Sequence, residues 1–222
     1  MKRLLTTLAV LPLVACSQGQ TPDTEMVTVT TVVEAATESG TLAQQPAEPA
    51  QPENKVIPVE ALETLEVPPL CGHEGGRLVN GELPVEKHSQ YPNALARLVR
   101  HKDGSPQGAY TDINGDGRDE AVVAYNCDKG GASWPTNLLI YDNDLNFITA
   151  ISDWTEGDMT ALRAHIRGLR WDDSKVYVDT YGWMPGDASV APSRLLTYEL
   201  TLNGTEPVLT LVSNEPNPNK GI

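Results

Sequence analysis

The stretch Asp112–Glu120, DINGDGRDE, is where side-chain types and spacing in this chain could do chemistry. Oxygen-bearing side chains stand at alternate positions, Asp112, Asn114 and Asp116, and the glycines at 115 and 117 permit a sharp turn. A hard cation such as calcium takes about six to eight oxygens in a flexible shell. The donors for it here would be the side chains of Asp112, Asn114 and Asp116, the backbone carbonyl of Arg118, and the carboxylate of Glu120. Ca2+ in a structural role is the cofactor this pattern implies. The competing reading is a turn without metal, because Asp, Asn and Gly are also the residues of ordinary tight connections.

The loop must be held by the strands on its C-terminal side. Ala121–Tyr125 and Leu138–Tyr141 are short continuous apolar runs, the pattern of central strands. Asp142-Asn143-Asp144 is turn chemistry, and 145–151 would be the returning strand. Leu162, Ala164 and Ile166 alternate with Arg163, His165 and Arg167, as a half-buried strand does. Val176, Val178 and Thr180 share one face, as do Leu196, Tyr198, Leu200 and Leu202. Asn203-Gly204 signals a hairpin. Only Asn93–Arg100 is compatible with a short helix. The expected fold is all-β, an antiparallel meander in a single domain. DINGDGRDE has no second copy, which argues against a closed propeller.

Asp112–Tyr125 resembles the FG-GAP and VCBS-type loops of integrin-like β-propeller proteins, which read Asp-x-Asn-Gly-Asp-Gly-x-x-Asp and run straight into an apolar strand. The resemblance covers those fourteen residues. It implies a calcium loop feeding a buried strand, with Glu120 standing where the family most often has Asp. An EF-hand is a poor match, since its closing glutamate at about position twelve is Val123 here.

The N-terminus carries a second pattern. Lys2 and Arg3 precede an apolar core, Leu4–Val14, too short to span a bilayer as an ordinary helix. Leu13-Val14-Ala15-Cys16 resembles the bacterial lipobox. The resemblance implies a lipoprotein signal peptide over residues 1–15 and a diacylglycerol on the sulfur of Cys16, which becomes the new N-terminus. The plainer alternative is a signal peptide cut near Ala15. Either way the product is exported, and with the lipid it sits on the outer face of the cell membrane or in the cell envelope. The acyl chains would be the contact with the membrane. Short acidic lipoproteins with a stalk and one small β domain are similar in outline, notably those of actinobacterial type.

Loss of Lys2 and Arg3 takes the formal charge from −14 to −16. A chain this acidic is a poor ligand for nucleic acid, whose affinity rests on neutralising phosphates. Residues 16–69 contain no aromatic residue, many prolines, and Lys55 as their only cation, so they are expected to form a disordered acidic tether. The folded domain would run over 70–213 and a flexible tail over 214–222. With Cys16 lipidated, Cys71 and Cys127 remain as an even pair in an oxidising compartment, and a disulfide between them is expected. Two separate buried thiols are the alternative.

Other candidates are weaker. Trp134, Trp154, Trp171, Tyr181 and the Trp183 loop could present aromatics to a glycan, although large aromatics more often pack the core of a small domain. Arg163, His165, Arg167 and Arg170 could form a basic stripe that holds an anion, or a solvated strand face. His73, His88, His101 and His165 show no zinc spacing. Neither a nucleophile elbow nor a phosphate or dinucleotide loop occurs. The sequence therefore points to a lipid-anchored envelope protein that binds another envelope protein or a glycan. Cell-wall hydrolysis is a more distant alternative, because sequence alone cannot pair its carboxylates.

Overall fold

In the computed structural model the described residues are 53–85, 93–128, 135–152, 155–156, 159–160, 165–172, 174–188 and 190–219. The leader, Cys16, Trp134, Trp154 and Arg163 lie outside them. All described residues belong to one unit, Pro49–Ile222.

A short 3-10 helix, Val59–Thr64, precedes β1 (Glu66–Val67) and β2 (Gly76–Arg77), which pair with each other. Five strands make one sheet: β3 (Leu95–Leu98), β4 (Gly108–Thr111), β5 (Glu120–Asp128), β6 (Thr136–Tyr141) and β7 (Phe147–Ile151). Its order is β3-β5-β6-β7, with β4 also on β5, so β3 and β4 share one side of β5 end to end. Two short strands, β8 (Thr155–Glu156) and β9 (Met159–Thr160), form a separate pair. A second sheet has four strands in sequence order: β10 (Ile166–Asp172), β11 (Lys175–Gly182), β12 (Arg194–Asn203) and β13 (Glu206–Pro216). All strand pairs are antiparallel, and neither sheet closes into a barrel or propeller.

The two sheets pack face to face, β4 against β10 and β7 against β13. One core lies between them, drawn from Val122, Ala124, Leu138 and Ile140 on one side and Val176, Val178, Leu196, Tyr198 and Leu200 on the other. A second core lies on the outer face of the five-stranded sheet. There Ala121, Val123, Tyr125, Leu139 and Tyr141 meet Leu62, Leu65, Val67, Leu78 and Leu83 from the N-terminal segment. Strands β5 and β6 are therefore covered on both faces, which is why they read as continuous apolar runs. Strands β11 and β12 are covered on one face and alternate instead. Asn203 pairs with Glu206 across the expected hairpin, with Gly204 at φ 64°.

Three expectations need correction. Asn93–Arg100 is not helical: Leu95–Leu98 is strand β3, paired Ala96 to Cys127 and Leu98 to Tyr125. Ala, Leu and Arg favour helix intrinsically, but burying Ala96 and Leu98 on β5 overrides that weak preference. The tether does not reach residue 69. Leu62, Leu65 and Val67 are almost fully buried, and Pro58 in extended geometry opens the 3-10 turn that places them. The domain also continues past 213, since β13 ends at Pro216. Asn217 is buried, its side-chain N–H donating to the Pro192 carbonyl at 2.8 Å.

Candidate functional site

Loop 112–119 joins β4 to β5. Its two glycines have φ of 80° and 88°, a region that L side chains rarely adopt, so the pair fixes the sharp turn. Asp112 organises the backbone around itself. Its Oδ1 accepts from the N–H of Gly115 (2.7 Å) and Asp116 (3.1 Å), and its Oδ2 from that of Gly117 (2.9 Å). Asp116 Oδ1 accepts from the N–H of Arg118 at 2.8 Å. Asn114 Nδ2 donates to Glu120 Oε1 at 2.7 Å and to Asp116 Oδ2 at 3.1 Å, drawing the two carboxylates toward one amide. Glu120 Oε2 accepts from the N–H of Ile113 at 3.0 Å.

Ile113 is buried in the core between the sheets, and its carbonyl accepts from the Leu202 N–H at 3.0 Å. Thr111 Oγ1 donates to the Asp172 carbonyl at 3.0 Å. The loop is thus fastened to both sheets.

Glu120 is the unusual member, only 1% exposed at the first position of β5. Burial pushes its carboxyl up to about 7, against the pull of the Ile113 N–H, and Asp116 and Asp112 push in the same direction as burial. No cationic side chain is paired with it among the described residues. A buried carboxylate beside two others, without a cation, is an expensive arrangement.

The predicted ligands Asp112, Asn114, Asp116 and Glu120 are therefore brought into one hydrogen-bonded loop. Arg118 is there through its backbone, while its side chain pairs with Asp144 at 2.8 Å. Among the described residues no three His, Cys, Asp or Glu side chains form a ready metal cage, because the loop oxygens are turned onto the loop's own N–H groups. The donor chemistry nevertheless fits calcium. It is all oxygen, mixing carboxylate, amide and carbonyl, and it includes a buried carboxylate that lacks a positive partner.

Cys71 and Cys127 are joined by a disulfide, with Cα atoms 6.0 Å apart. Cys71 sits in the turn after β1 at φ 53°, and Cys127 is buried near the end of β5. The bond ties the N-terminal layer to the central strand. Asn137 Nδ2 donates to the Tyr125 carbonyl at 3.3 Å and lies 3.5 Å from Cys127 Sγ.

One residue with a central role reads in the sequence only as turn chemistry. Asn143 is buried beside the loop, and its Oδ1 accepts from the Lys55 N–H at 2.7 Å. Its Nδ2 donates to the carbonyls of Lys55 (2.9 Å) and Asp119 (3.1 Å) and to Asn54 Oδ1 (3.1 Å). Next to it Asp144 pairs with both Lys55 and Arg118, and those two cations hold its carboxyl down to about 2. Nothing in local spacing links residue 143 to residue 54. Asn143→Ala is expected to lower the unfolding free energy by roughly 2 kcal/mol, the scale of a buried amide stripped of its partners. Urea unfolding monitored by far-UV circular dichroism measures it.

The other candidates do not assemble into one site. Arg170 is paired with Asp179 (2.9 and 3.0 Å), Arg167 lies 5.4 Å over the Tyr181 ring, and the His165 ring packs 5.7 Å from Trp183. Trp171 is half-exposed and meets Tyr110 edge-on, at 86°, which is no flat stacking platform. In the 182–187 loop, Asp187 Oδ2 accepts from Met184 N–H, Ser193 N–H and Ser193 Oγ, closing the turn on itself. His73 Nε2 lies 2.7 Å from the Asp128 carbonyl. Compared with known proteins, the chain matches no family model, no curated protein and no solved structure, so the loop and the fold speak for themselves.

Proposed function

We propose that this chain is a lipid-anchored cell-envelope protein whose β sandwich, stapled by Cys71–Cys127 and by calcium at Asp112–Glu120, binds another envelope component. The observation that carries the calcium part is Glu120, a buried carboxylate without a cationic partner among the described residues, inside a loop of oxygen donors at the root of the central strand. Asp112, Asn114, Asp116, Glu120 and the Arg118 carbonyl would hold the ion. If bound there, calcium would supply positive charge beside Glu120, whose carboxyl Asp116 and Asp112 also push upward. The loop residues do the rest: Ile113 anchors the turn in the core, and Asp112 keeps its backbone closed. The calcium role is structural in this reading. Support for the anchor is the lipobox at Cys16, and support for export is the Cys71–Cys127 pair.

Thermal unfolding with calcium and with chelator tests the metal. Extracellular calcium modules bind at about 10⁻⁴ to 10⁻³ M, so about 10 mM calcium should add about 1–3 kcal/mol and raise the midpoint by several degrees. The shift should vanish in Asp116→Ala. Absence of any shift in the native chain rejects the metal. For the anchor, cells fed an alkyne fatty acid should label the native chain and leave Cys16→Ser unlabelled; equal labelling of both rejects lipidation at Cys16.

A glycan-binding module is the second reading, and half-exposed Trp171 is the observation that favours it. Quenching of tryptophan fluorescence by cell-wall oligosaccharide, lost in Trp171→Ala, would select it.

A further inference from the structure

We propose that Asn203, at the tip of the β12–β13 hairpin, is a site of spontaneous deamidation, and that its change to aspartate or isoaspartate loosens the hairpin's hold on loop 112–119. The proposal does not depend on whether that loop holds a metal.

The chain has three Asn-Gly pairs, Asn80-Gly81, Asn114-Gly115 and Asn203-Gly204. Such a pair is chemically labile, because glycine has no side chain to hinder its own nitrogen or to restrict its backbone. The glycine backbone nitrogen gives up its proton to hydroxide and attacks the Asn side-chain carbon Cγ. The N–Cγ bond forms, the Cγ–Nδ2 bond breaks, and the amide leaves as ammonia. Water then opens the cyclic imide at either carbonyl, giving aspartate or isoaspartate. The net reaction consumes water and releases ammonia, with no oxidation or reduction. It needs a glycine nitrogen that is free and a peptide that can turn toward the side chain.

The fold withholds both from two of the pairs. Gly81 is buried, its N–H donating to the Glu63 carbonyl at 2.9 Å and its carbonyl accepting from the Leu98 N–H at 2.8 Å. The Asn80 carbonyl accepts from Arg100 Nη2 at 2.7 Å, which fixes the same peptide from its other side. Gly115 N–H donates to Asp112 Oδ1 at 2.7 Å. The Asn114 amide is itself held, its Nδ2 donating to Glu120 and Asp116 and its Oδ1 accepting from the Asp116 N–H at 2.8 Å.

The third pair is free of such restraints. Asn203, Gly204 and Thr205 are all exposed, and a Cβ built on Gly204 would meet nothing within 4 Å. Neither the Gly204 N–H nor the Asn203 side-chain amide makes a hydrogen bond among the described residues. What restrains the peptide is the pairing of Asn203 with Glu206, the terminal rung of the ladder. Terminal rungs open at a lower free energy than bonds inside a packed unit.

The product acts on the hairpin in two ways. It places a carboxylate across from Glu206, and like charges directly opposite on paired strands are destabilising. Isoaspartate also lengthens the backbone by a carbon next to a strand whose register is fixed. The adjacent Leu202 donates its N–H to the Ile113 carbonyl at 3.0 Å, and both side chains belong to the core between the sheets. Opening at residue 203 therefore reaches the bond that fastens the 112–119 loop to the second sheet.

The native full chain is incubated at mildly alkaline pH, folded and in denaturant, and the three pairs are followed by peptide mapping with mass spectrometry. In the folded chain Asn203 should deamidate about fivefold or more faster than Asn80 or Asn114, the factor that one extra net hydrogen bond sets. In denaturant the three rates should converge. Hydrogen exchange of the Leu202 N–H should be faster in the aged chain than in the fresh one. Asn203→Gln, which keeps an amide but cyclises far more slowly, should show neither the mass change at 203 nor the faster exchange after the same incubation. The site is overturned if Asn80 or Asn114 keeps pace with Asn203 in the folded chain, if Asn203 stays intact, or if it leads by as much in denaturant. Unchanged Leu202 exchange in the deamidated chain overturns the link to the loop.

Discussion

Removing the Cys71–Cys127 disulfide, by reduction or by the Cys71→Ala, Cys127→Ala double change, should lower the unfolding free energy by about 4 kcal/mol. The two residues are 56 apart in sequence, and closing a loop of that length in the unfolded chain accounts for about this much in the chain-entropy model. The position adds to the effect. Cys71 belongs to the N-terminal layer that covers the outer face of the five-stranded sheet, and Cys127 to the strand at its centre. Without the bond the layer is held by Leu62, Leu65 and Val67 and by backbone bonds such as Leu78 N–H to the Leu65 carbonyl at 2.8 Å. Denaturant unfolding of oxidised and double-Ala chains gives the difference. A loss under about 1 kcal/mol would mean that those contacts already confine the loop, and two free thiols by intact mass under non-reducing conditions would remove the bridge altogether.

Without calcium, stability should rise as pH falls from 8 to about 5. Glu120 titrates near 7 in the folded chain and near 4.5 when unfolded, so between those values the folded state binds more protons. Its contribution is fully present below about 4.5 and lost as pH rises through 7. The difference amounts to about 3 kcal/mol. Asp103, Asp144 and Asp179 have lowered folded values and act in the opposite sense, but only at more acid pH, below the unfolded carboxylate range. Glu120→Gln removes the charge and should flatten the profile between pH 5 and 8. In chelator at pH 8 the variant escapes the burial of charge but keeps only one oxygen for the Asn114 and Ile113 donors, so its gain over the native chain should be less than about 3 kcal/mol. Calcium should reverse that order, because it stabilises the ionised glutamate and not the amide. A native profile as flat as the variant's would show that Glu120 carries no buried charge.

Much of the fold could be read from the chain because burial leaves a period in it. Strands β5 and β6 are covered on both faces and read as unbroken apolar runs, while β11 and β12 are covered on one and alternate. The cysteine pairing came from compartment and parity. The N-terminal layer escaped because its signal is faint. Residues 54–69 have no aromatic and several prolines, and only Ile57, Leu62, Leu65 and Val67 mark a buried side. Strand β3 escaped because four residues of Ala, Leu and Arg carry a helical preference that only β5 overrides. Of the loop, the donor types and glycine positions were visible. The burial of Glu120 was not, because it comes from Ile113 and the sheets around it. The Asn143 contacts were invisible for a related reason, since their partners lie 88 and 89 residues away.

The way the chain enters the domain also decides how it answers a pull. Tension applied N-terminal to Asn54 meets first the Asn143 amide and the Lys55–Asp144 pair, a small polar clasp at the domain's edge. Beyond the clasp, stretching would peel the 3-10 helix and β1 off the outer face of the sheet one contact at a time. It would stop at Cys71, where the force passes through a covalent bond into the C-terminal end of β5, the strand at the centre of the sheet. A molecule built this way yields a short, recoverable extension under strain and then stiffens, while the sandwich behind the staple stays closed.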